Sequence, residues 1–317
     1  MPNLIDAFKK SPGPNNLKEA LVLYLKGVSM GTADIIPGVS GGTIALIAGI
    51  YTQLIDAIKS IDGDAVKKLL RLDLAGFLAH VHLRFLVVLL AGISTAIISI
   101  ARLMNYLLDE QPVLTWSAFL GLILASIWIL GKKVHWSPKT LAAFGVGGLV
   151  GFVIVGLIPV STPETWWFII LAGMIAICAM ILPGISGAFL LLIMGKYEYV
   201  TGALKHPFEA QSLVIIACFC LGAFVGITSF SRVLSYLLHH YEKLTLALLT
   251  GLMAGSLRKV WPFKEVLEQV EIRGKLHVLR DQNIWPEIGT ELGLAIGLAV
   301  LGFLLVMVLE RWADPAA

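Results

Sequence analysis

The chain has 317 residues, 57% of them hydrophobic and 14% charged, with a formal net charge of +3. Soluble domains carry roughly 45–50% apolar and about 25% charged residues, so this composition sets the chain apart from them. The small charge, with no basic tail interleaved with aromatics, leaves no footprint for nucleic acid. Apolar runs of about 20 residues follow one another with short connections, which predicts an all-α polytopic membrane protein. A barrel would instead show short alternating strands.

Residues 1–16 are polar, with Pro12 and Pro14 and no small-residue cleavage site, so no cleaved signal peptide is expected. Residues 17–33 form a first apolar arm with Lys26 in its middle. It runs into Asp34-Ile35-Ile36-Pro37-Gly38-Val39-Ser40-Gly41-Gly42-Thr43, and a second arm follows over about 42–58. Proline removes a backbone donor and clashes with the preceding turn, and glycine carries freedom that must be frozen out, so the helix must break here. The two arms are expected to form a re-entrant hairpin over about 17–59. Next, Val66, Leu69, Leu70, Leu74, Phe77, Leu78 and Val81 share one helical face, with Lys67, Lys68 and Arg71 elsewhere. This predicts a basic amphipathic helix over about 64–82 on an anionic membrane surface, a partner-binding helix being the competing reading.

Three spans follow, at about 85–108, 112–131 and 141–160. The second half repeats the plan with arms at 165–182 and 186–203 and spans near 211–238, 242–259 and 286–310. Of the 18 positions in 34–51 and 180–197, nine are identical: Ile35, Pro37, Gly38, Ser40, Gly41, Leu46, Ile47, Gly49 and Tyr51. Gly92, Arg102 and Tyr106 match Gly222, Arg232 and Tyr236 at an offset of 130, against 146 for the hairpins, and the amphipathic segment accounts for the difference of 16. Each half, 1–160 and 161–317, is then a hairpin (17–59 and 165–203) plus three spans. Three is odd, so the halves should lie upside down relative to each other, as an inverted-topology repeat. Lys9, Lys10, Lys18, Lys59, Lys67, Lys68, Arg71, Arg84, Lys132, Lys133 and Lys139 would all be cytoplasmic, together with the N-terminus. The 260–285 connection should then be external, although it holds Lys264, Arg273, Lys275 and Arg280.

Broken helices at matching positions of two halves point to a transporter binding site. Ser40 and Ser186 are placed as N-caps after Gly38 and Gly184, beside Gly41, Gly42 and Gly187. Helix starts expose unpaired N–H groups, and glycine lets a ligand approach them, so two opposed tips would suit phosphate or carboxylate. The alternative is that the tips satisfy each other or bind water. Arg102 and Arg232, at equivalent places in apolar spans, suit bidentate phosphate contact or snorkel to the headgroups. Lys26 is open to the same two readings. Asp34 has no counterpart, since Met180 stands there; it is expected either to couple transport to protons or cations, or to tie down hairpin N–H groups. His80, His82, His239 and His240 read as solvated or headgroup residues. Cys178, Cys218 and Cys220 lack metal or disulfide spacing, and no catalytic set, metal cluster or cofactor motif supports an enzyme.

Lys26-Gly27, Met30-Gly31, Asp34, Pro37 to Thr43 and Gly49-Ile50-Tyr51 resemble the first motif of the polyprenyl-phosphate transporter family. Leu182 to Gly187 and Gly195-Lys196-Tyr197-Glu198 resemble its second. The resemblance covers essentially the whole chain. It implies a multi-pass protein of the cytoplasmic membrane that returns undecaprenyl phosphate from the outer to the inner leaflet, recycling the carrier for cell-envelope polymers. On that reading Ser40, Thr43, Ser186 and the hairpin N–H groups hold phosphate, Arg102 and Arg232 neutralise it, and Asp34 couples transport to protons. The partners are the lipid monophosphate and membrane lipids; a homo-oligomer is allowed. A small-anion channel or exchanger for chloride or phosphate is the first rival, and a membrane lipid phosphatase the second.

Overall fold

The structure is a computed structural model that describes residues 8–35, 40–205, 208–272 and 275–313. Its elements in chain order are α1 (Leu17–Ile35), α2 (Gly41–Ile47), α3 (Tyr51–Lys59), α4 (Gly63–Leu70), α5 (Leu74–His80), α6 (Leu83–Glu110), α7 (Pro112–Lys133), α8 (Pro138–Ile154), α9 (Trp166–Ile181), α10 (Gly187–Ile193), α11 (Tyr197–Lys205), α12 (Ala210–His240), α13 (Glu242–Val260), β1 (Lys264–Ile272), β2 (Lys275–Asn283) and α14 (Thr290–Ala313). Among the described residues α6, α7, α12 and α14 are long and apolar enough to cross a bilayer, and α2 with α3 would make a fifth, broken crossing. The chain is therefore a multi-pass helical membrane protein. Each expected span has a helix overlapping it, although α8, at 17 residues, is shorter than a full crossing and α13 is not among the helices apolar enough to cross; α9, at 16 residues, takes the place of the expected arm 165–182.

Local sequence sets the helix ends. Pro112 and Pro138 sit in the first turns of α7 and α8, where a missing N–H costs nothing, and Ser137 with Thr140 closes a capping box. Two helical features depart from expectation. The second hairpin arms are not single helices. Gly49 (φ +69°) and Gly195 (φ +62°) end α2 and α10 in left-handed turns, where the amides of Ile50 and Lys196 donate to Ala45 O and Leu191 O at 2.9 and 2.8 Å. These are Schellman closures, and in the first of them the axis bends by 118°. The amphipathic segment is likewise two helices, α4 and α5, because Asp73 caps α5 through the Gly76 N–H and Leu72 is left-handed (φ +55°). Its apolar side remains open to the outside, with Leu69, Leu70 and Leu72 46, 79 and 82% exposed.

Helices pack in four close pairs: α1 on α6, α9 on α12, α8 on α13 and α7 on α14. Glycine carries all four contacts. A Cβ on Gly27 would strike Leu89 O, one on Gly222 Ile170 O, one on Gly251 Phe144 O, and one on Gly121 Ala299 O. Water exclusion between helices is not a driving force in lipid, so such close backbone approach supplies much of the association. The central core gathers Tyr51, Ile55, Leu89, Ile185, Leu249 and Met253 from both halves. The charged 260–285 connection, for which no strand is expected, holds the β1–β2 hairpin. It pairs Lys264 with Asn283 and Ile272 with Lys275, and stands between α13 and α14.

Candidate functional site

The two helix breaks meet. α9 ends at Ile181, and the last carbonyls of a helix have no partner of their own. Hydroxyls from the first half fill them. Ser40 Oγ donates to Met180 O at 3.1 Å, and the Tyr51 phenol, 2% exposed, donates to Ile181 O at 3.0 Å. In return the Gly184 N–H donates to Thr43 Oγ1 at 3.0 Å. Gly184 has φ +84°, and a side chain there would meet Met253 and Ser256. Three hydrogen bonds thus clasp one tip to the other.

Of the N–H groups assigned to phosphate, those of Gly41, Gly42 and Gly184 have partners at the clasp. Gly41 N–H donates to Asp34 Oδ1 at 2.6 Å, and Gly42 N–H to Ser40 Oγ at 3.1 Å. Asp34 thereby ties down the start of α2, one of the two roles read for it. Ser186 caps α10 through the Phe189 N–H at 3.4 Å, and Gly187 packs against Ala176 O and the Met180 side chain. Gly38 lies outside the described residues. Arg102 and Arg232 are exposed on α6 and α12; Arg232 Nη1 donates to Thr228 O at 2.5 Å, one turn back on its own helix. Among the described residues no hydrogen bond or ion pair joins either arginine to a tip.

Lys26 occupies a different position. The buried face of α1 carries Leu23, Gly27, Met30 and Gly31, and Lys26 sits half-buried beside it. Its ammonium donates to Ala48 O at 2.7 Å, where α2 ends at the Gly49 break, and a cation is favoured at a helix C-terminus. It faces a cavity of about 800 Å³ whose other polar groups include Lys18, Glu19, Gln53, Asp56 and His82, with Leu23, Ile50 and Phe85 as apolar wall. The rim is held in place by Arg84, whose guanidinium donates to the carbonyls of Lys9, Gly13 and Pro14 and to Asn15 Oδ1. Ser11 Oγ adds a bond to Val81 O at 2.7 Å. Asp56 is tied to α12 through Ser235 Oγ at 3.1 Å and His239 Nε2 at 3.7 Å. Burial holds the His82 imidazole below its ordinary value; the Asp56 carboxylate works against this and His80 adds to it.

Tyr51, Gln53 and Arg84 were not assigned to the site by sequence. Tyr51 gave a signal, being identical to Tyr197 across the repeat, whereas nothing local marks Arg84 as the clamp of an N-terminal segment some 70 residues away.

The model of the undecaprenyl phosphate translocase-like family matches residues 30–276, from the first break through most of the β-hairpin. The chain belongs to that family. A protein named polyprenyl-phosphate transporter from Vibrio cholerae is 41% identical over 303 residues, covering 93% of this chain and 97% of its own. One of the same name from Staphylococcus aureus is 34% identical over 253 residues, covering 75% and 85%. No solved structure matches. The family resemblance drawn from the Pro-Gly-Val-Ser-Gly-Gly-Thr stretch therefore stands. The relatives carry the names of transporters rather than of enzymes.

Proposed function

We propose that the protein moves a polyprenyl monophosphate, undecaprenyl phosphate in the first instance, from the outer to the inner leaflet of the cytoplasmic membrane. The observation that carries this reading is the Lys26 cavity. In a chain whose relatives are named for polyprenyl phosphate, a half-buried ammonium lining a recess of about 800 Å³ offers a phosphate its counter-charge. Lys18 and His82 add donors, and apolar wall lies alongside. The headgroup enters the recess while the isoprenoid tail stays in lipid.

Alternating access between inverted halves is the mechanism that best suits the packing. α1 sits on α6 as α9 sits on α12, and α8 on α13 as α7 on α14, so contacts repeat between the halves. The first hairpin joins the C-terminal end of α12 through Asp56, and the second approaches the C-terminal end of α13, where Lys259 lies over the Phe189 ring. α13 starts two residues after α12 ends and, read as returning across the bilayer, carries its C-terminal end to the other face, so the hairpins enter from opposite faces. The clasp closes the path between them. By the positive-inside pattern the Lys26 recess faces the cytoplasm.

The test is a leaflet-sidedness assay in vesicles containing undecaprenyl phosphate. Lys26→Gln should lower transport at sub-saturating lipid about tenfold or more, the effect of losing a charge-assisted hydrogen bond. Lys26→Arg should retain most of it. Full transport by Lys26→Gln would overturn the assignment. Uptake of chloride or inorganic phosphate into vesicles lacking polyprenyl phosphate would favour the small-anion reading instead. Asp34 is assigned to proton coupling: Asp34→Asn keeps an acceptor for the Gly41 N–H and loses only the charge. It should therefore flatten the dependence of transport on a pH gradient, and an unchanged dependence removes that role.

A further inference from the structure

On the far side of the clasp, α13 ends against the first hairpin: Val260 is fully buried in a cluster with Ala33, Phe119 and Ile123, against which Ile44 also packs. The two lysines that flank this contact in sequence are enclosed rather than splayed into solvent. Lys264 and Lys259 have side chains only 13 and 21% exposed, and both ammonium groups point at a single oxygen, Asp281 Oδ2, at 3.1 and 3.4 Å. Lys264 Nζ also donates to Lys259 O at 2.7 Å. Aromatic rings complete the enclosure, with Trp116 5.2 Å from Lys264 Nζ and Phe189 5.1 Å from Lys259 Nζ. Phe189 lies in the first turn of α10, directly after the second break.

Among the described residues the charge count of this cluster does not close. Two ammonium groups share one carboxylate, in a place where desolvation makes an unbalanced charge costly. A cation pair of this kind suits a dianion better than a monoanion. The imbalance registers on the groups themselves. Burial pushes Lys264 down to about 8, with Lys259 adding to the effect and Asp281 opposing it. Burial works against the charge of Asp281 as well, but the two lysines outweigh it and hold the carboxyl below its usual range. At the base of the β-hairpin Trp261 donates to Ile284 O at 3.0 Å, and Trp285 and Ile288 are 88 and 99% exposed, a grouping of tryptophans that suits a membrane interface.

We propose that Lys259 and Lys264 form a second phosphomonoester site, on the face opposite the Lys26 recess, and that Asp281 occupies it as a built-in anion which an arriving phosphate displaces. This rests on the transport reading above and places the capture step at the outer leaflet. Displacement leaves both lysines paired, now with a dianion, and frees the β2 strand from its ion-pair anchor to α13.

The experiment uses the full chain in detergent carrying Lys26→Gln, so that the opposite recess does not mask binding. Farnesyl phosphate is the probe, with inorganic phosphate and farnesol as comparison arms. Asp281→Asn should tighten farnesyl phosphate binding several-fold, a gain that misfolding cannot produce. Lys259→Gln with Lys264→Gln should weaken it about tenfold or more, and the corresponding arginine pair should restore it. Inorganic phosphate showing the same pattern at similar affinity identifies a site for phosphate in general, whereas a clear preference for farnesyl phosphate identifies the lipid headgroup. Binding that ignores all these variants, or that farnesol reproduces, overturns the proposal. The transport reading is judged separately, by sidedness in the wild-type chain. Wild-type transport that Asp281→Asn and the lysine pair leave unchanged sinks this site alone.

Discussion

Replacing Tyr51 by phenylalanine removes one oxygen from the clasp and little else. The ring keeps its place in the central core with Ile55 and Leu89, so packing is preserved. What is lost is the 3.0 Å bond to Ile181 O, a carbonyl at the C-terminal end of α9 with no helical partner. Leaving a buried acceptor unsatisfied costs about 1–3 kcal/mol. Ser40 and Thr43 supply the other two clasp bonds, each of which contributes about 0.5–1.5 kcal/mol net. Tyr51→Phe thus withdraws a large share of what joins the tips. If the bond exists only while the tips are together, the population with separated tips should rise about 5- to 150-fold. Amide exchange at Gly184 reads this directly, because its N–H is held by Thr43 Oγ1 across the interface. Exchange of a peptide spanning 182–186 should accelerate by that factor in Tyr51→Phe. Tyr197→Phe is the matched control. Tyr197 is the repeat partner of Tyr51 but is 37% exposed, so it should leave Gly184 unchanged. Equal exchange rates in wild type and Tyr51→Phe, with thermal stability retained, would refute a clasp that opens.

Two further outcomes follow from packing and charge. Gly251→Val drives a side chain into Phe144 O at the α8–α13 contact, and should lower stability in detergent by about 1–3 kcal/mol, read from the thermal transition. Lys264 is held at about 8 instead of 10.5, so between those values the unfolded chain binds more protons than the folded one. Stability contributed by this group therefore rises with pH across that window and is smallest below pH 8, by about 1.4 kcal/mol per pH unit at most. The gap between wild type and Lys264→Gln should widen in favour of wild type from pH 8 to 10. A gap that narrows would show that Asp281, not burial, controls the lysine.

Much of the architecture could be read because the signals are local. Apolar runs located the long helices; the starts that Pro112, Ser137 and Pro138 make were equally local signals but were not used, and α8 begins at Pro138 rather than at about 141. The repeated Gly49 and Gly195 were visible as identical positions. The turns they make were not drawn from them: a glycine near the end of an apolar run fits a continuous arm as readily as a Schellman closure. The split of the amphipathic segment was missed for a similar reason, since hydrophobic periodicity outweighed the capping capacity of Asp73. The β-hairpin was legible in principle, as Lys264 to Asn283 carries alternating Val and Leu about Arg273-Gly274. The signal is weak because charged residues interleave with the apolar ones throughout, the pattern of a solvated connection as well as of a strand pair.

The site divides along the same physical line. Sequence by itself determined that this is a multi-pass helical protein with two broken helices, that it belongs with the polyprenyl-phosphate transporters, and that Ser40, Thr43, Asp34 and Lys26 sit at or near the first break. Those are properties of composition, periodicity and motif, each set by neighbours in the chain. Only the tertiary structure decided what the polar groups face. It turned Ser40, Thr43 and Tyr51 toward the other half, closed Asp34 onto Gly41, set Lys26 over an open recess, and brought Lys259, Lys264 and Asp281 together across 22 residues. A buried donor or charge takes whichever partner the packing brings within about 3 Å, and for most of these groups that partner is remote in the chain.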